Sequence, residues 1–320
     1  MKHICSVCGD SIRSVLIKGA IAFGSQYDVL FCGRCEVGKT FPVPSREDLS
    51  GLYASGRYRT KVGLRFHGGV EKFIGLGRLQ RRRRIERYIN KGAVLDIGCG
   101  RGLFLDIMKR HGWNVTGVEV DRETAERVSR TYGIEVIEEG RMLNALSEGQ
   151  FDVVTMYHVL EHLPDPVGMI RECGRVLRKG GLLVIAVPNL HSLQGIFGKS
   201  KWLHLDLPFH LHHFSEAGLR KILESNLFTT RTVRRFDWEY NVFGWLQTIL
   251  NRTGIRENAL YDFLKSRDIG TERSRRGPDG SLLLSFLLLP LCFPISLVLS
   301  LTESYLFGRG GTVEVHAFRS

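Results

Sequence analysis

Val94-Leu-Asp-Ile-Gly-Cys-Gly-Arg-Gly102 sets an apolar run directly against three alternating glycines. An apolar run that ends in glycines reads as a buried strand turning sharply into a helix. The chain around it repeats the pattern. AVLDIG is a strand, and GRGLFLDIMKRHG is a helix closed by glycine. WNVTGVEV is the next strand, and DRETAERVSRTYG a second helix with Asp121 as its N-cap. EVIEEG gives a third strand and FDVVTMYHV a fourth. A helix from about Pro166 to Leu177 and a fifth strand, LLVIAVPN, complete the alternation. Strands alternating with amphipathic helices predict an α/β fold with a doubly wound, mostly parallel sheet. Such sheets bind ligands at the carboxyl ends of their strands.

The loop itself narrows the ligand. Gly98, Gly100 and Gly102 permit a tight turn and close approach to the backbone. Leu103 stands where a dinucleotide fingerprint requires its third glycine, which argues against a nicotinamide or flavin enzyme. Asp96 suits a cationic amino-acid group. Glu119, closing the second strand, suits the two hydroxyls of a ribose. A ligand with a ribose and a zwitterionic amino acid but no phosphate fits this pair of acids. The competing reading is a turn of purely structural use.

With these motifs assembled, the chain resembles the class I S-adenosylmethionine-dependent methyltransferases. VLDIGCGRG is similar to their first motif and GVEVD to their acidic second-strand motif. FDVVTMYHVLEHLPDP and RVLRKGGLLVIAVPN are similar to those of the fourth and fifth strands. The likeness runs from about Lys91 to Phe236 and returns in GTVEVHAF, similar to an antiparallel seventh strand. It implies a Rossmann-like seven-stranded sheet and S-adenosylmethionine as cofactor. Asp96, Gly98 and Gly100 would line the methionine portion and Glu119 would hold the ribose, with Cys99, Gly102 and Val120 as further cofactor contacts. Met156 and His158 would lie beneath the sulfonium. Gly140-Arg141 stands where the family commonly has Gly-Asp, so the adenine contact is left unassigned.

His158-Val-Leu-Glu161-His162 matches the H-x-x-E-H pattern of inverted zinc proteases. Pro164 and Pro166 leave barely a turn for the helix which that site needs, and the protease reading falls. Some ubiquinone-pathway O-methyltransferases carry E-x-x-E-H here and look able to hold a divalent cation. With His in place of the first Glu, Glu161 and His162 are expected instead to shape the cofactor floor by hydrogen bonding. Downstream, LHLDLPFHLHHFSEAGL supplies His204, His210, His212 and His213. Methyl transfer to a hydroxyl calls for a base with a pKa near neutral, which histidine provides. The resemblance sets this loop over the acceptor pocket, so His210 and His213 are the candidate bases, against the plain alternative of surface histidines.

Cys5-x-x-Cys8 and Cys32-x-x-Cys35 form two knuckles with 23 residues between them. Two such knuckles complete a tetrahedral zinc site, and four thiolates leave no open position, so the role is structural. An odd total of seven cysteines in a chain of 320 residues argues against a disulfide framework. MKHICSVCGD lacks the apolar run of a secretory signal, and a cytoplasmic setting is expected. Some sugar- and lipid-modifying methyltransferases look similar here, with a cysteine ribbon followed by a motif like LSGLYASGRY.

The net charge is +12, and twelve Lys/Arg against two acids lie between Arg57 and Lys91. That patch suits nucleic acid, an acidic substrate or anionic lipid, or is simply a solvated helix face. An RNA methyltransferase is therefore the rival in the same chemistry, although the Asn/Asp-Pro-Pro-Tyr motif of base N-methylation is lacking. A non-catalytic zinc-ribbon binding module is the rival of another class.

Three zones follow: a ribbon over 1–44, a basic linker and helix over 45–90, and the methyltransferase domain over 91–320. Inside the last, Ser281 to Leu301 runs 21 residues without a charge. Length alone permits a membrane span. If GTVEVHAF completes the same sheet, however, the chain must return to the side it left, and Pro290 and Pro294 break the middle. The expectation is a membrane-associating hairpin at about 278–307, dipping into one leaflet, with Arg273, Arg275, Arg276 and Arg309 beside anionic headgroups. A buried hairpin or dimer interface is the alternative. NVFGWLQTILNR, with Phe243 and Trp245, adds a second interfacial candidate. Together these point to peripheral contact with the inner face of a membrane. O-methylation of a small-molecule, lipid-linked, quinone-like or saccharide acceptor is the expected chemistry.

Overall fold

A computed structural model describes residues 3–54, 68–138, 146–265 and 279–320. The adenine-side pair Gly140-Arg141 and the Arg273–Arg276 cluster lie outside them. Helices α1 (Arg46–Ala54) and α2 (Gly68–Glu86) precede the glycine loop. The central strands are β6 (Ala93–Ile97), β7 (Asn114–Glu119), β8 (Glu135–Glu138), β9 (Phe151–Tyr157) and β10 (Leu177–Pro188). Between them run α3 (Leu103–Arg110), α4 (Arg122–Tyr132) and α5 (Pro166–Val176). With β12 (Phe228–Arg234) and β13 (Thr312–Arg319) they form one seven-stranded sheet, ordered β12-β13-β10-β9-β6-β7-β8. The five central strands are parallel, and β13 enters antiparallel between β10 and β12. This is the doubly wound sheet expected from the alternation of apolar runs. Its strands are apolar nearly throughout because helices cover both faces; Val153, Val154 and Ile185 are fully buried.

The caps bear out the helix starts. Asp121 accepts from Thr124 N at 2.9 Å and Gly133 closes α4 in the left-handed region. Asp165 does the same for α5, whose first residue is Pro166.

At the N-terminus, β1 (His3–Ile4) pairs with β2 (Ser11–Ile12), and β3 (Ser14–Ala22), β4 (Ser25–Cys32) and β5 (Val37–Phe41) make an antiparallel meander. Its fourth strand comes from elsewhere: β11 (His212–Phe214) pairs with Val37–Lys39. The ribbon therefore shares a sheet with a segment 170 residues away, and its boundary near residue 44 holds only along the chain.

The apolar block departs from expectation. It is one continuous helix, Gly280–Leu301, not a hairpin. In chain order it is α10, following α6 (Leu193–Gly198), α7 (Glu216–Ser225), α8 (Phe243–Arg252) and α9 (Ala259–Lys265). Pro290 and Pro294 lie inside it without ending it. At 22 residues it is about 33 Å long. Its polarity is inverted. Ser285, Cys292, Ser296 and Ser300 face the protein, while Leu287 (75% exposed), Leu291, Phe293 and Val298 face outward. Both ends are fastened to the same body. Arg256 Nε donates to the N-cap Asp279 at 3.1 Å, and Glu303, just past the last turn, accepts from Trp245 Nε1 at 2.7 Å and Gln194 N at 3.1 Å.

The segment around Phe243 and Trp245 is corrected as well. It is the shelf beneath α10: Trp245 is 4% exposed and its indole is tied to Glu303, so it presents no interface of its own.

Candidate functional site

The glycine loop joins β6 to α3 at the carboxyl edge of the sheet. Gly98, Gly100 and Gly102 all adopt positive φ (72°, 54° and 71°). They differ in what surrounds them. A Cβ on Gly98 would lie 2.4 Å from Val159 Cγ2, and one on Gly102 2.5 Å from Val128 Cγ1. One on Gly100 would meet no described atom within 4 Å. The first and third glycines let the chain pack, and the second faces open space where a ligand can approach.

Asp96, on β6, is 4% exposed and accepts from Thr155 Oγ1 at 2.6 Å. Burial pushes its carboxyl up to about 7 against the pull of Thr155 and Arg81, with Glu119 adding repulsion. A buried carboxylate so poised fits an incoming ammonium group. Glu119, 1% exposed, accepts from Gly100 N at 2.9 Å and Val120 N at 3.0 Å. Its carboxylate braces the loop, and Val120 beside it is exposed. Cys99 contributes backbone rather than thiol: its N–H donates to Val118 O, and its Sγ points toward Gly117. Met156 is fully buried in the core. The loop, Asp96, Glu119 and Val120 thus converge on one edge, with Met156 packed beneath.

His158 stands at the end of β9 with φ 56°, a strained conformation for a non-glycine residue. Its ring stacks on Tyr240 at 3.9 Å, and Nδ1 lies 3.4 Å from Glu161 Oε1. Glu161 belongs to a short 3₁₀ turn, Leu160–His162, rather than an α-helix. It is 1% exposed, and burial holds its carboxyl above the usual range. His210 Nε2 approaches the same Glu161 oxygen at 3.9 Å. Burial pushes His210 down to about 3 and His162 to about 4, so both are neutral at ordinary pH. Ligand atoms of Glu161, His162 and His210 lie within 4.8 Å of one another, a donor set of one carboxylate and two imidazoles that can accept a divalent cation.

Beyond His158 the sheet carries a narrow cleft with room for about one water molecule, lined by Arg81, Arg84, Tyr157, His158, Arg234 and Glu314 among others. It lies over β9, β10, β13 and β12, the half of the sheet away from Glu119. Neither His210 nor His213 lines it. His210 sits behind Glu161. His213 is fixed in the ribbon seam, its Nε2 3.0 Å from Thr40 Oγ1. His212 is a second staple there, to Leu163 O at 3.0 Å and Ser6 Oγ at 2.8 Å. The four loop histidines thus divide. His210 backs the site, His212 and His213 weld the ribbon to it, and His204 Nε2 meets Tyr240 O at 2.9 Å. His158, read from the sequence as a cofactor contact, is the histidine that reaches the cleft; its place one residue past a buried strand was the available signal.

The basic run of α2 turns inward for the most part. Arg81 lies over the Tyr157 ring at 4.3 Å, Arg84 pairs with Glu314 at 2.9 Å, and Arg82 pairs with Glu86. Among the described basic residues from Arg78 to Arg87, Arg83 and Arg87 are the exposed ones.

The four ribbon cysteines gather as the knuckle spacing implies. Cys5 and Cys35 sulfurs lie 3.5 Å apart, and Cys8 and Cys32 3.6 Å apart. A zinc tetrathiolate with bonds of about 2.3 Å has edges of about 3.8 Å, so the cluster is sized for the ion and too wide for disulfides. The hydrogen bond from Cys35 brings Cys5 down to about 5, and giving it drives Cys35 up.

Comparison with known proteins finds methyltransferases. A family model described as a methyltransferase domain matches residues 78–233. A ubiquinone biosynthesis O-methyltransferase of Pseudomonas aeruginosa (strain UCBPP-PA14) is 38% identical over 131 residues, covering 38% of this chain and 56% of that one. The protein of that name from Escherichia coli O8 (strain IAI1) is 31% identical over 185 residues, 54% of this chain and 69% of its own. The chain thus spans about half the length of the first curated relatives it matches. A solved S-adenosylmethionine-dependent methyltransferase from Archaeoglobus fulgidus is 20% identical with a TM-score of 0.47, over 76% of this chain and 93% of that one.

Proposed function

We infer that this chain, which belongs to the S-adenosylmethionine-dependent methyltransferase family, O-methylates a small quinone-like, lipid-linked or saccharide acceptor at a membrane surface. The observation that carries the reading is the division of the sheet edge. Asp96, the glycine loop and Glu119 occupy one half, and a separate cleft with His158 at its mouth occupies the other. When bound, S-adenosylmethionine supplies an electrophilic methyl group on a cationic sulfur. The chain's own residues do the rest. Asp96 receives the ammonium group, and Glu119 holds the ribose hydroxyls beside Val120. His158 takes the acceptor hydroxyl's proton, oriented by Glu161 and by stacking on Tyr240, with His210 behind the carboxylate. The names of the relatives favour oxygen as the atom methylated and a quinone precursor as acceptor.

The ribbon holds a structural zinc ion through Cys5, Cys8, Cys32 and Cys35. With its donors all used, its role is to brace the 203–214 loop through Thr40, His212 and His213. Helix α10 is the membrane contact. A helix fastened to one body at both ends cannot cross a bilayer, and one that turns its serines inward and its leucines outward lies flat in the interface. That arrangement supports a peripheral enzyme at a cytoplasmic membrane face.

The test uses the full chain. Calorimetry with S-adenosylhomocysteine should give binding, and labelled methyl should pass from the cofactor to a catechol presented in vesicles of anionic phospholipid. Vesicle sedimentation should fall about tenfold or more in the double variant L287E/L291E, since each buried leucine is worth about 1.5–3 kcal/mol. No binding of S-adenosylhomocysteine at millimolar concentration overturns the enzyme reading, and sedimentation unchanged by the double variant overturns the membrane reading.

A further inference from the structure

The cleft beyond His158 has an unusual balance of donors and acceptors. Three arginines enter it, Arg81, Arg84 and Arg234, against two acids, Asp237 and Glu314. Both acids are occupied. Glu314 accepts from Arg84 Nη1 at 2.9 Å and from His316 Nε2 at 2.7 Å. Asp237 caps a helical turn, accepting from Glu239 N and Tyr240 N at 2.9 and 3.2 Å, and stands 4.0 Å from Arg81 Nη2. Arg234, at the end of β12, has no carboxylate within 4 Å among the described residues.

Four buried donors in this cleft lack any hydrogen-bond partner among the described residues: Arg81 Nε, Arg234 Nε, Tyr157 OH and Thr312 Oγ1. They come from α2, β12, β9 and β13, so no single local turn explains them. Unsatisfied buried donors cost about 1–3 kcal/mol each. The space open beside them admits about one water molecule before side chains move. A water supplies acceptor lone pairs but no charge.

We propose that this cleft receives a carboxylate or phosphate carried by the methyl acceptor, with Arg234 as its principal partner and Arg81, Tyr157 and Thr312 as further donors. An oxyanion supplies what the cleft lacks, several lone pairs and one negative charge, and a guanidinium matches its planar or tetrahedral oxygens two at a time. It also fixes orientation: an acceptor anchored over β12 and β13 directs its other end toward His158 and the cofactor half. The inference rests on the methyltransferase reading and adds the acceptor's class, an acidic molecule rather than a neutral one.

Binding to the chain saturated with S-adenosylhomocysteine tests this with 3,4-dihydroxybenzoate, phenyl phosphate and catechol as probes. At least one anionic probe should bind about tenfold or more tightly than catechol, and the two anionic arms tell carboxylate from phosphate. In R234L that preference should vanish, in R234K part of it should return, and T312V should reduce it less. Affinity for S-adenosylhomocysteine and for catechol should stay unchanged in all three. Equal binding of charged and neutral probes, no binding of either anion at millimolar concentration, or a preference that survives R234L overturns the proposal. A parent chain that binds no S-adenosylhomocysteine overturns the methyltransferase reading instead, a separate outcome read in the first titration.

Discussion

The two halves of the sheet edge are built by different means. The half proposed to hold the cofactor is local: Asp96, three glycines and Glu119 lie within 24 consecutive residues and are placed by one strand–turn–helix and the strand beside it. The half proposed to take the acceptor is assembled from distant parts, with Arg81 from α2, His158 just past β9, Arg234 from β12 and Glu314 from β13. A short segment whose geometry follows from backbone conformation can serve any acceptor. A cleft whose walls come from four elements can be retuned residue by residue without disturbing the first half.

Three substitutions probe that division, and the largest effect belongs to the junction. H158Q should lower kcat by about 100- to 10,000-fold, the usual worth of a positioned general base, with S-adenosylhomocysteine affinity within about threefold of the parent. Steady-state kinetics beside calorimetry checks both. A matching loss of cofactor affinity would return His158 to the cofactor half and break the division.

G98A acts on the other side. The added methyl meets Val159 at 2.4 Å in a backbone conformation L-residues rarely adopt. A strain of about 1–3 kcal/mol corresponds to a loss of roughly 5- to 150-fold in S-adenosylhomocysteine affinity. Probe binding in the arginine cleft should be preserved, which thermal-shift titration with phenyl phosphate measures.

The smallest effect is one of pH. Asp96 is raised to about 7 in the free protein, and an ammonium ligand favours its charged form. Below pH 7 binding must also remove a proton, so affinity should fall by up to about tenfold per pH unit as pH drops. D96N should bind more weakly at neutral pH and show no such slope. Stability takes the opposite sign. A carboxyl raised above its unfolded value of 3.8 destabilises the fold increasingly as pH climbs from about 4 to 7, so D96N should gain stability there, as a melting series reads.

The glycine turn and the two acids beside it were legible in the sequence because each of these signals is short-ranged. Alternation of apolar runs predicts the parallel sheet, and G-x-G-x-G with an acid at the next strand end predicts a ribose without phosphate. Cysteine knuckles carry their geometry in their spacing. The loop histidines were not legible in this way, since His210 and His213 differ by three residues and face unlike neighbours. The apolar block misled for a related reason: proline content argued for a hairpin, whereas α10 stays continuous where α8 and α9 support it.

The sequence by itself therefore determined the mostly parallel sheet, the glycine turn, its two acids and the four-thiol cluster, because strand period, positive φ and ligand spacing are properties of near neighbours. Tertiary structure alone decided that β11 joins the ribbon, that α2 spends its arginines inward, and that α10 lies along the body with its polarity reversed. It also decided that four donors without a partner among the described residues share one cleft. Those facts depend on which distant surfaces exclude water together, and no local pattern along the chain encodes that.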